Sequence, residues 1–158
     1  MRFLCTLATA VLLLTLWPAH AANAETLAVI VAQSHAGRVV QPDELSLISL
    51  RKRLYWKNGI RIQPVNLATD SSLRRLFSRQ ILGSQPESQT EYWNVQYYHG
   101  ISPPHVVNSQ EAVLRFVADT PGAIGYISAC KADKRVKVVG WIDENGFAAE
   151  PPNLDCDS

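Results

Sequence analysis

The chain is poor in the residues and spacings that mark catalytic or metal-binding proteins. It has three cysteines and four histidines in 158 residues, with no C-x-x-C pair and no H-E-x-x-H or H-x-x-x-H spacing. No zinc or copper site is expected, and the histidines read as scattered surface groups. No G-x-x-x-x-G-K-[ST] loop, G-x-G-x-x-G fingerprint or paired catalytic carboxylates at motif spacing is present, which removes nucleotide-dependent and glycosidase-type chemistry. Asp70, Ser71, Ser72 and a distant histidine could in principle make a nucleophile and base. There is no G-x-S-x-G elbow to present them, so no enzymatic activity and no cofactor is expected. There is also no internal repeat and no linker that would mark a second domain.

Long apolar runs are missing too, except at the start. Met1-Arg2 gives a positive beginning, residues 3–17 are mostly apolar, and small-x-small sites follow at Ala19-His20-Ala21 and Ala22-Asn23-Ala24. The apolar run is shorter than the roughly 20 residues of a membrane span, and the pattern is that of a secretory signal peptide. Cleavage is expected after Ala24, or at the earlier site before Ala22. The periplasm is the expected compartment. Removing the first 24 of 158 residues leaves 134, a length usual for one domain, and takes away Arg2 and no acid. The mature chain then has 14 basic against 14 acidic residues. Neutrality gives no support for nucleic-acid binding.

Cys130 and Cys156 remain after processing. In an oxidising compartment they are expected to pair, with free thiols as the alternative. A bridge would close a loop of about two dozen residues and contribute about 3 kcal/mol.

What is present reads as alternating strands and helices. Leu27-Ala28-Val29-Ile30-Val31 is a continuous apolar run, expected as a strand buried on both faces, as in a parallel sheet. Pro42, Asp43 and Glu44 suit a helix first turn before Leu45 and Ile48. A basic loop follows, with Arg51, Lys52, Arg53, Lys57 and Arg61 around the Asn58-Gly59 turn; its plain reading is a solvated loop. Residues 60–65 then read as a short strand. Asp70-Ser71-Ser72 supplies capping side chains to a helix with Leu73, Leu76, Phe77 and Ile81 on one face, stopped by Gly83. Tyr92, Trp93, Val95, Tyr97 and Tyr98 are expected on a helix laid against the core, with stacking on sugars or bases as the sharper alternative. Asn108 and Glu111 form a capping pair for the next helix, ended by Thr120-Pro121-Gly122. Ala123 to Ile127 should be a buried strand in which Gly125 permits close approach. Val136 to Ile142 reads as the last strand, and residues 150–158 as a loosely ordered, Pro-rich acidic tail.

The order basic loop, Trp56, Asn58-Gly59, strand, Ser71-led helix and Pro121-Gly122-Ala123-Ile124-Gly125-Tyr126 resembles periplasmic phosphate-binding proteins. It is most similar to the short, single-lobe relatives described as substrate-binding proteins of phosphate ABC transporters. The similarity covers residues 26–143. It implies an α/β fold, one lobe of a type II periplasmic binding protein, with a mixed or mostly parallel sheet flanked by helices over residues 25–149.

The resemblance also implies an anion site at the strand-to-helix turn. In the family an Arg-x-x-x-Ser-Gly-Thr segment holds phosphate there, the Arg by a bidentate contact. Ser71 matches the Ser, but Leu67, Ser72 and Leu73 stand where the Arg, Gly and Thr would be. The candidate ligand-binding residues are therefore Thr69, Asp70, Ser71 and Ser72 at the helix N-terminus, with Arg51, Lys52 and Arg53 as sources of positive charge. Two functions stay open. One is a solute-binding module with weak affinity for phosphate or another oxyanion. The other is an accessory or sensory protein that kept the fold, lost the pocket and works through a periplasmic or membrane protein partner.

Overall fold

All six residues of β1, Leu27–Ala32, are buried, as a strand covered on both faces must be. The computed structural model describes residues 25–37, 39–154 and 156, so the signal peptide read at residues 1–24 lies outside the described residues. Six strands form one open sheet in the order β3-β2-β4-β1-β5-β6. They are β1, β2 (Gln63–Leu67), β3 (His105–Val107), β4 (Ala123–Ser128), β5 (Val136–Asp143) and β6 (Gly146–Ala148). β2 runs parallel to β3 and to β4, whereas β1 is antiparallel to β4 and β5, and β5 to β6.

The sheet is therefore mixed, and the expectation of a parallel setting for β1 is corrected. Burial on both faces follows from a central place between two helical layers, and strand direction is independent of it. One layer holds α1 (Pro42–Ser49) and α2 (Ser72–Leu82), whose Leu45, Ile48 and Phe77 meet Tyr126 and Val29. The other is α4 (Gln110–Asp119), which presents Val113 and Val117 to the sheet.

Gly125 of β4 marks where the second layer closes. A Cβ there would lie 2.7 Å from Val65 Cγ1 and 2.8 Å from Val113 Cγ1, too close for any side chain, so the helix and strand pack over a bare backbone. Gly122, at φ +78°, turns the chain into β4, and its carbonyl accepts the Trp56 indole N–H at 3.0 Å and the Gln63 N–H at 3.1 Å. Two widely separated parts of the sequence pattern thus meet in one turn.

Residues 54–62 form a hairpin-like excursion before β2, with Trp56 N–H bonded to the Ile60 carbonyl and Ile62 N–H to that of Leu54. The strand expected over residues 60–65 accordingly starts at Gln63. Ser109, not Asn108, caps α4, its hydroxyl accepting from Ala112 N–H at 3.1 Å.

The largest departure is α3, Thr90–Tyr98, which follows a short 3-10 turn at Pro86–Gln89 and has no buried residue. Its aromatic positions are spread around the helix and give no single apolar stripe. Core packing, expected for this helix, is corrected. Tyr92, Trp93 and Gln96 are half-covered, and the Tyr92 hydroxyl donates to the Leu50 carbonyl at 2.7 Å.

At the other end of the chain, Cys130 and Cys156 are bridged, with Cα atoms 5.4 Å apart. Leu154 packs against the core beside the bridge.

Candidate functional site

Because β2, β3 and β4 are parallel, the turns leaving β2 and β3 emerge at the same end of the sheet and start α2 and α4 side by side. Two helix N-termini therefore face one region. An open cleft of about 730 Å³ lies there. Its floor is Leu67, Leu114 and Ile127, and its walls carry Asp70, Ser71, Asn108, Ser109, Gln110, Glu111, Lys131, Asp133 and Arg135. Backbone N–H groups at helix N-termini and their positive dipole ends favour an anion at such a place.

The side chains weigh the other way. Arg135 is held by Glu111 through Nη1 at 2.8 Å and Nη2 at 3.1 Å, and by Asp133 through Nε at 3.0 Å and Nη2 at 2.8 Å. Arg115 adds a bond to Glu111 at 3.0 Å. These hydrogen bonds, first from Arg135 and then from Arg115, bring the Glu111 carboxyl down to about 2. Arg135 also lowers Asp133, and both acids raise the Arg135 guanidinium. The planar donor fork that would hold a phosphate is occupied by the protein's own carboxylates. Of the charged lining residues, Asp70, Glu111 and Asp133 outnumber Lys131 and Arg135.

The structure distributes the sequence-derived candidates unevenly. Asp70 and Ser71 line the cleft. Ser71 stands at the N-cap of α2 with extended backbone, but its side chain makes no capping hydrogen bond. Ser72 is engaged elsewhere, its hydroxyl donating to the Glu25 carboxylate at 2.9 Å. Thr69 is exposed on the turn before α2. Leu67 is buried and presents hydrocarbon where a guanidinium would be needed.

Arg51, Lys52 and Arg53 are not brought to this turn. Arg51 Nη1 donates to the Ile62 carbonyl at 3.2 Å, before β2 begins, whereas Ser71 follows its far end. The five residues of β2 alone separate them by about 16 Å. Burial, and then the charge of Arg61, lower the Arg51 guanidinium. Arg53 pairs with Glu44 at 3.1 Å.

Sequence reasoning had singled out Asn108 and Glu111 only as a cap, and had passed over Ser109, Gln110, Lys131, Asp133 and Arg135. A capping pair after a strand was the available signal for the first group, since in parallel units every such turn falls on one edge of the sheet. Lys131, Asp133 and Arg135 reach the cleft on the β4–β5 connection, and no local pattern announces that. Among the described residues no group of three or more His, Cys, Asp and Glu side chains could hold a metal ion.

No family model matches the chain, and no curated protein matches it. Solved structures do. An ABC-type phosphate transport receptor from Vibrio cholerae superposes with a TM-score of 0.59 at 22% identity, over 73% of this chain and 45% of the receptor. A phosphate ABC transporter substrate-binding protein from Clostridium perfringens with bound phosphate gives 0.60 at 20%, over 73% and 44%. The fold is that of a periplasmic binding protein. The chain spans less than half the length of either structure.

Proposed function

We propose that the chain is a single-lobe solute-binding module working outside the cytoplasm, and that its seat is the cleft between the N-termini of α2 and α4. The observation that carries this reading is the convergence of two helix N-termini on one 730 Å³ cleft at the ends of parallel strands. The secretory pattern of residues 1–24 and the Cys130–Cys156 bridge support an oxidising compartment.

Affinity for phosphate or sulfate is weak in this reading. Leu67 supplies no guanidinium, Arg135 is already neutralised by Glu111 and Asp133, and the cleft is open to water. Losing a bidentate arginine contact alone forfeits about 1.5–3 kcal/mol, a factor of about 10 to 150 in the dissociation constant, and the affinity expected is in the high micromolar range or weaker.

The occupied state of Arg135 also favours a second reading, an accessory protein that kept the fold and acts through a periplasmic or membrane partner, such as a component of a phosphate transporter. Calorimetry with phosphate and sulfate at low salt separates the two. Weak binding that Ser71→Ala weakens further supports the module. No oxyanion binding at concentrations of about 10 mM would remove it and leave protein partnership, while sub-micromolar binding abolished by Ser71→Ala would remove the accessory reading.

A further inference from the structure

The basic loop that the cleft does not use is part of a second surface. Residues 51–61 carry five cations and no acid. The loop leaves the C-terminal end of α1, where Arg51 N–H bonds to the Ile48 carbonyl and Lys52 N–H to that of Leu47. α3 is fixed at the same place by the Tyr92 bond to the Leu50 carbonyl, and Lys52 Nζ lies 5.9 Å from the Tyr92 ring centroid.

Tyr97 and Tyr98 follow within about 9 Å along the helix axis and are 74% and 89% exposed. Tyr55, Ile60 and Val95 are exposed as well. Gly59 and Gly100 are exposed, with open space where a Cβ would stand. Opposing charge is sparse. Glu44 is engaged by Arg53 and Glu87 by Arg75; the remaining acids nearest the loop by chain position are Asp43 and Asp70, and α3 itself carries Glu91.

Lys52, Lys57 and Arg61 are exposed. Cations flanking tyrosines whose rings are apolar and whose hydroxyls are polar make the composition of a water–bilayer interface. A protein partner would need a contiguous, shape-matched apolar centre, whereas here the exposed apolar groups are divided between the basic loop and α3. A fluid headgroup layer can adapt to such a surface.

We propose that this end of the molecule rests on an anionic phospholipid surface. Lys52, Lys57 and Arg61 lie over the headgroup phosphates, and Tyr55, Tyr97 and Tyr98 enter the headgroup layer. β2 separates this surface from the cleft, so the bound molecule would hold the cleft facing away from the bilayer. This surface does not depend on what the cleft binds.

Co-sedimentation of the processed chain with vesicles tests it. The first set is phosphatidylcholine alone, and the second contains about one third phosphatidylglycerol. Binding to the anionic vesicles only is expected, falling by about tenfold or more when salt is raised from about 0.05 to 0.5 M. Each cation near such a surface contributes about fivefold, so Lys52→Glu/Lys57→Glu/Arg61→Glu should cut partitioning by about a hundredfold or more. Its thermal unfolding and its oxyanion binding at the cleft should be unchanged. If that variant failed to fold, Lys52→Gln/Lys57→Gln/Arg61→Gln should still lose about tenfold or more. Equal binding to both vesicle types, no binding to either, or full binding by the folded triple variant would overturn the proposal. So would capture of an acidic protein through these residues with no vesicle binding.

Discussion

The two ends of the sheet use charge in opposite ways. At the cleft, arginines and carboxylates close on each other: Arg135 is held by Glu111 and Asp133, and Arg115 by Glu111. At the end formed by the basic loop and α3, five cations are set in one run of sequence with Glu44 as the ion-pair partner found there. The first arrangement fixes side chains and presents little net field, whereas the second leaves a field for something outside the chain to answer. A cleft in a fold shared with phosphate receptors is thus poorly charged for phosphate. The run of residues 51–61, with five cations and no acid, lies at the other end of β2.

The largest test removes what the two ends share. Gly125→Val forces a branched side chain against Val65, Val113 and Val117 and should cost about 3 kcal/mol or more, abolishing cleft and surface together in a thermal melt. If only one end failed, the sheet would not couple them. Next is Cys156→Ser, which opens a bridge spanning 26 positions and should lower stability by about 3 kcal/mol in denaturant unfolding. The cysteine-free tail should then become sensitive to protease.

A third test sharpens the charge contrast itself. Glu111→Gln leaves Arg135 with Asp133 alone and should strengthen sulfate binding by about tenfold in calorimetry. The same carboxylate supplies a pH signature. Its folded value is depressed from 4.5 to about 2, so its ion pairs are fully present above about pH 4.5 and are lost as the pH falls through about 2. A carboxyl resonance of Glu111 titrating near 4.5 would show the network to be loose. The smallest effect is expected for Tyr92→Phe, which removes the bond to Leu50, costs about 1 kcal/mol and should raise amide exchange in α3.

These contrasts were only partly legible in the sequence. The core strands and helices were readable because each obeys its own period: the apolar run of β1, the i, i+3, i+4 spacing of Leu73, Leu76 and Phe77, and the Pro121-Gly122 stop before β4. The direction of β1 was not, because burial on both faces is the same for parallel and antiparallel neighbours. α3 was misplaced because aromatic content was read as burial, although positions 92, 93, 95, 97 and 98 share no face. The head of α2 at Ser71 is readable because a strand-to-helix turn has a local signature, although the Ser71 side chain makes no capping bond. Arg135 was missed because its importance depends on carboxylates at 111 and 133 that meet it only through topology. Arg51, Lys52 and Arg53 are near Ser71 in sequence, yet the extended residues of β2 carry the chain away from them.

The central position of β1 bears on when the chain can fold. It is the first strand made, yet its partners are β4 and β5, with Leu27 opposite Ser128 and Ile142, partners more than about a hundred positions later. Contacts of that sequence separation close slowly, because the loop entropy is lost before any pairing rewards it. The nascent chain can form α1 and α2 early, but the sheet has no centre until its last third has emerged. Such an order of assembly leaves the two helical layers without a sheet to pack on through most of the chain's synthesis.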